Sequence, residues 1–283
     1  MLELGEHFGH PVVDPKRWIM AGILPLARYI RTGIKLAAGV LTVLILWSGI
    51  ETRAYESAPV KDGATVQGTV TIPESVPTPQ EFELGRFPDH EYCSKLSDGF
   101  GYRLLRDVTV RPNGGLKDVV VVVEGVERGK PFAVTNAKVE AKLCQFLPFV
   151  TVVGNTRRVT AFNRDPVPHD IQGFVPDQPG TEKVLSRSSL RARGTTDVVR
   201  LPKGHHVFTM QCSMHPYMQS WGYAVDNPYY AVTDTEGAFT IDDLPPGTYR
   251  LKAWHPTLGA QEQELTVAPN EIISLDLSFE AKF

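Results

Sequence analysis

The run "HHVFTMQCSMHPYMQSWGYAV" (residues 205–225) gathers two adjacent histidines, a cysteine, a further histidine and several methionines. Cys212, His215 and Met218 are spaced three apart. A thiolate, an imidazole and a thioether are soft or borderline donors, suited to a transition ion rather than to magnesium or calcium. Pro216 biases His215 toward an extended conformation, so the run reads as a loop, and a loop can bend three side chains onto one ion. A trigonal copper site takes one thiolate, two imidazoles and a weak axial thioether. Cys212, His215 and Met218 supply three of these, and the second imidazole has to come from another strand. His169, in "NRDPVPHDIQGF", is the best candidate. His205 and His206 are weaker ones, because strand neighbours point to opposite faces and both precede the cysteine on the strand that leads to it. Met210 and Met214 read as core or rim packing. Zinc is the rival ion, since one cysteine and two histidines with an open position also suit it. The methionine six residues after the cysteine favours copper.

The elements that must hold these donors read as strands. "ATVQGTVTI" alternates from Ala64 to Ile72, and "DVTVRPNGGLKDVVVVVEGV" gives a strand, a turn at Pro112–Gly115 and a strongly β run at Val119–Val123. "FVTVVGNTRRVTAFNRD" reads as two strands joined at Gly154-Asn155, and "DVVRLPKGHHVFTMQC" as two more around Pro202-Lys203-Gly204. Turn signals at this frequency predict a mainly β chain built of sandwiches rather than a parallel sheet. No βαβ alternation, phosphate loop or nucleophile elbow is present. A net charge of −3 gives no reason to expect a nucleic-acid partner. With all four coordination positions filled by protein, and no acid or base placed for chemistry, the expected role is electron transfer and not enzymatic turnover.

The amino-terminal part differs. "LAAGVLTVLILWSGI" (36–50) carries no charge. Fifteen helical residues rise about 22 Å against a hydrocarbon core of about 30 Å, with Lys35 placed to snorkel and Trp47 near the other interface. The length also fits a secretory signal. The long stretch before it and the poor cleavage pattern at Thr52-x-Ala54 favour a signal anchor. Lys16, Arg17, Arg28, Arg31 and Lys35 place the preceding segment in the cytoplasm by the positive-inside rule, so the bulk of the chain is expected in the periplasm. The expected division is a cytoplasmic tail (1–33) with an interfacial segment, a transmembrane anchor (34–51), a linker (52–63), a first sandwich (64–226) and a second (227–283).

Three cysteines in an exported chain leave one thiol over. With Cys212 in the donor cluster, Cys93 with Cys144 is the economical disulfide; two buried free thiols are the alternative.

"C-S-M-H-P-Y-M" resembles the ligand loop of amicyanin-like cupredoxins, and "FNRDPVPHD" is similar to the segment that supplies their first histidine. The nearest resemblance is to larger bacterial plastocyanin-like proteins of the methylamine-utilisation-like kind, in which a Greek-key cupredoxin unit precedes a carboxypeptidase-regulatory-like domain. That second part is carried here by "YAVTDTEGAFTIDDLPPGTYRLKAWHPTLGAQEQELTV" and resembles a small prealbumin-like sandwich. The resemblance implies a type 1 copper ion on His169, Cys212, His215 and Met218. It also implies an electron port at the exposed edge of His215, ringed by Met214, Pro216 and Tyr217. The implied partners are a membrane-embedded redox or photosynthetic complex, or a c-type cytochrome, with lipid contacted through the one anchor helix. The sequence departs from these relatives at Asp170, where they carry asparagine, and at Phe149 and Asn227, where they tend to carry histidine. Those departures keep a rival reading open: a structural subunit on the periplasmic face of a membrane complex, with copper vestigial or absent. Copper storage or delivery would want more exposed Met and His than this chain has.

Overall fold

A computed structural model describes residues 54–280, apart from 74–75, 133–136, 155, 176–182, 192 and 202. The expected cytoplasmic tail and anchor lie outside the described residues. Among the described residues no helix is long and apolar enough to cross a membrane. The described residues form one compact unit, mainly β, in two sandwiches.

The first sandwich packs a sheet ordered Thr196–Arg200, Arg158–Asn163, Ala137–Ala141 and Phe146–Leu147 against one ordered Lys183–Leu190, His169–Val175, Val207–Gln211, Gln219–Ala224 and Val150–Val153. Alternate residues such as Val139, Val159, Ala161, Ile171, Val199, Phe208 and Met210 fill its core, as period-2 patterning requires. Both turn signals noted above, at 154–155 and 202–204, join strands of opposite sheets, so they are corners between layers rather than hairpins.

The second sandwich corrects the expected division. The strand Ala64–Thr71 pairs with Ala238–Leu244, and Val120–Glu124 lies between Tyr230–Val232 and Gly247–His255. Residues 64–72 and 108–126 therefore share one core with 229–279, and a boundary at 226/227 does not follow the packing. Alternation shows that 64–71 is a half-buried strand, but it carries no signal of which sheet will accept it. Gly68 marks how closely the borrowed strand is held: a Cβ there would lie 1.9 Å from the Leu275 carbonyl oxygen.

The unbroken valine run is the hinge of the architecture. Val119, Val121 and Val123 face the second core, while Val120 and Val122 face a junction with Val150, Tyr223, Val225 and Trp254. A strand covered on both faces has no polar side to show, which is why five valines follow one another. Phe149 packs against the same junction, and Asn227, in the segment joining Gln219–Ala224 of the first sandwich to Tyr230–Val232 of the second, donates to the Val123 carbonyl (2.8 Å) and accepts from Tyr229 N (2.8 Å). The two departures from the histidine-bearing relatives thus sit where the sandwiches meet.

His255, at the end of Gly247–His255, is fully buried, and its Nδ1 accepts from the backbone N–H groups of Thr257 and Leu258. Burial lowers its pKa from 6.5 to about 4. The unfolded chain therefore binds a proton that the folded chain refuses, and stability is complete above pH 6.5 and falls as pH drops toward 4. The loss approaches about 3 kcal/mol at the acid end. Urea midpoints at pH 7 and pH 4 measure it, and His255→Gln should remove that share of the difference.

Candidate metal centre

The hairpin Val207–Gln211 and Gln219–Ala224 carries the donor-rich loop. Its strands are drawn together by Phe208, whose ring fills the space a Cβ on the opposing Gly222 would need. The loop closes on itself: Cys212 N donates to the Met218 carbonyl (3.1 Å) and Met218 N to that of His215 (2.8 Å). The register that sets Gln172 opposite Gln211 brings the start of His169–Val175 alongside this loop. Buried Asn163 donates to the carbonyls of Val167 (2.9 Å) and Leu190 (2.8 Å), pinning the turn that leads to His169.

The fold brings His169, Cys212 and His215 together. One donor atom from each lies within 4.8 Å of the others, and all three residues are buried. His169 Nδ1 is 3.2 Å from His215 Nδ1, and Cys212 Sγ is 3.6 Å from His215 Nδ1. Met218 is fully buried in the same apolar cluster as Cys212. His206, by contrast, is exposed just before the strand Val207–Gln211, with Nδ1 2.8 Å from the Ala224 carbonyl. Neither it nor His205 belongs to the donor cluster.

Each imidazole is oriented from behind. His215 Nε2 donates to the Pro88 carbonyl (3.1 Å), and His169 Nε2 to Asp165 Oδ2 (2.9 Å). The Asp165 carboxylate also accepts from Leu143 N (2.6 Å), Cys144 N (2.8 Å) and Tyr92 OH (3.0 Å). Burial opposes its charge, but these hydrogen bonds, that from His169 foremost, outweigh it and bring the carboxyl to about 2. Burial pushes the Cys212 thiol up to about 11. Burial, and then the facing His169, lowers the pKa of His215. Asp170 does tie the two ligand segments as an asparagine would: it accepts from Ser213 N (2.6 Å) and from the Ser213 hydroxyl.

The electron port implied by the resemblance is not on the surface. His215 and Tyr217 are buried, Met214 is half-buried, and only Pro216 of that set is exposed. A cap formed by residues 80–105 covers the site. Gln80–Glu83 pairs with Tyr102–Leu105, and the helical turn His90–Cys93 lies between them. Phe82 and Phe87 set their rings against Tyr217 at 5.9 and 5.6 Å. Cys93 and Cys144 form a disulfide that ties the cap to the sandwich, and Arg103 donates to Gln145 (3.0 Å). Nothing local to residues 212–218 signals the cap, because its contacts with that loop are made across more than 100 positions (Pro88 to His215 spans 127). Asp165 and Tyr92 were likewise missed; an acidic residue four before the histidine was the one available sign.

The donor set fits a soft transition ion. Carbonyl and carboxylate partners oblige both outer ring nitrogens to donate, so each ring, when neutral, turns an Nδ1 lone pair toward the other at 3.2 Å, beside the cysteine sulfur. Two imidazole lone pairs facing one another in a dry pocket, with a thiol beside them, are repulsive until a proton or a cation lies between them.

Residues 224–280 match the family model of the carboxypeptidase regulatory-like domain. A comparison with curated proteins gives no match. Among solved structures, the chain is similar to a purple cupredoxin from Nitrosopumilus maritimus at 24% identity, covering 32% of this chain and 100% of that one, with a TM-score of 0.27. It is similar to a copper-containing nitrite reductase from Thermus scotoductus at 19% identity, over 34% of this chain and 24% of that one, with a TM-score of 0.27. It is also similar to amicyanin from Paracoccus versutus at 14% identity, over 37% of this chain and 97% of that one, with a TM-score of 0.26.

Proposed function

We propose that the chain is a copper protein that passes single electrons, with His169, Cys212 and His215 as principal donors and Met218 as a weak fourth. The convergence of two Nδ1 atoms and one sulfur in a buried pocket carries this reading. Copper held there supplies one-electron oxidation and reduction. The chain's own part is to hold two imidazoles and a thiol in place before the metal arrives, to exclude water, and to keep each ring from turning. Rigid donors limit rearrangement when charge changes, which is what an electron carrier needs. Zinc suits the same three donors; the buried methionine at the loop's end favours copper.

The membrane anchor, the periplasmic location of residues after about 54, and a membrane-embedded redox or photosynthetic complex or c-type cytochrome as partner belong to the same proposal. Anchoring would replace diffusion by a high effective concentration at one complex. A second reading, a docking subunit on such a complex, is favoured by the cap, which removes the His215 edge from the surface.

Titrating metal-free protein with Cu(II) tests the first reading. One equivalent is expected to bind with an intense thiolate-to-copper absorption in the visible. Saturation with Cu(II) and no such absorption favours the second.

A further inference from the structure

The turn Lys142–Gln145 holds two successive non-glycine residues in the left-handed region, Leu143 at φ 53° and Cys144 at φ 54°. Such a conformation costs a side-chain-bearing residue about 1–2 kcal/mol and persists only where its surroundings enforce it. What it achieves here is to aim two consecutive backbone N–H groups at one buried carboxylate, an anion-binding concavity. Asp165 fills it, 1% exposed. With Tyr92 and His169 added, four donors surround two oxygens.

We infer that Asp165 is the positioning residue that makes His169 a metal donor, fixing the ring with its proton on Nε2 and its Nδ1 lone pair aimed at Cys212 and His215. The inference rests on the copper reading and deepens it. Two of the four donors are backbone N–H groups, which can never accept. Only a group accepting at both oxygens satisfies the concavity, so His169 is obliged to donate from Nε2. The same carboxylate connects the cap to the metal site. Tyr92 precedes the cap's disulfide cysteine, and Cys144 is its partner. The Cys144 sulfur lies within 4.8 Å of the Asp165 and His169 donor atoms. Because it is spent in the disulfide, that trio is not a second metal site; it shows how closely the cap's tether abuts the ring.

Asp165→Asn has nearly the same shape but only one accepting end. Its NH2 must face the N–H of Leu143 or of Cys144, and neither can turn. Where it faces Cys144 it also faces His169 Nε2, and that second donor–donor clash is relieved only by moving the ring proton to Nδ1, which removes the lone pair from the metal pocket.

Imidazole nitrogen shifts of the metal-free protein at pH 8 read the tautomer directly. In the wild type, His169 is expected with Nε2 protonated and Nδ1 bare. In Asp165→Asn, with the disulfide intact, a population protonated at Nδ1 should appear and Cu(II) affinity should fall about 10- to 100-fold. Tyr92→Phe removes one donor and leaves the carboxylate, so the tautomer should hold. A wild-type His169 protonated at Nδ1 overturns the inference, as does an Asp165→Asn protein of unchanged tautomer and affinity. The wild-type measurement needs no variant, so it decides even where Asp165→Asn does not fold. It also needs no copper: a protein with the expected tautomer that gathers no metal keeps Asp165's hold on the ring and defeats the copper reading.

Discussion

Cys212→Ser is expected to abolish the visible absorption of the copper-loaded protein while leaving the fold in place. Of the clustered donors only the cysteine can offer a soft anion. Burial holds the metal-free thiol near 11, so it is neutral at physiological pH, and an ion must displace its proton on entering. Affinity should therefore rise with pH, with loss of the thiol proton on loading. A serine hydroxyl is close in shape but far harder to ionise and contributes no sulfur-to-metal charge transfer. Cys212 is 2% exposed among apolar neighbours, so the substitution costs about 1 kcal/mol of stability. The loss of colour should thus appear in a folded protein. An absorption that survives Cys212→Ser would place its sulfur elsewhere and remove the basis for the donor set.

The double variant Cys93→Ser, Cys144→Ser should lose about 4 kcal/mol, the chain-entropy value for closing a loop of about fifty residues. The effect on the metal should be out of proportion to distance from it. The tether is the covalent bond holding the cap, and the cap supplies the Pro88 carbonyl behind His215 and the Tyr92 hydroxyl behind Asp165. With it released, the Phe82 and Phe87 contacts to Tyr217 are left to hold the cap by packing. Transfer of copper to a strong chelator should then quicken by tenfold or more, each factor of ten reporting about 1.4 kcal/mol of lost closure. An unchanged transfer rate with the full stability loss would show that packing alone keeps the pocket shut.

The ligand loop was legible because it is local. Cys212, His215 and Met218 lie within one hairpin end whose main chain closes from Cys212 N to the Met218 carbonyl, so spacing along the chain is nearly spacing in space. His169 was reached by residue type and by the resemblance of its segment. The Asp170 departure had a physical answer, since a carboxylate can accept from Ser213 as an amide oxygen would. Val119–Val123 was readable as a strand, but that both of its faces are covered came only from the packing. Which layers cover it was not readable.

What the sequence determined by itself is therefore chemistry at short range: the donor types, their spacing, the odd thiol and the β character of the segments. Only the tertiary structure decided that residues 64–71 and 120–124 complete the second sandwich, and that 80–105 folds over His215. The same holds for Asp165, which stands behind His169 in a concavity made by Leu143 and Cys144. The reason is one of range. A short loop's geometry follows from its own few dihedral angles, whereas a sheet edge or a cap is chosen by apolar burial and hydrogen-bond satisfaction among groups that the chain keeps tens to hundreds of residues apart.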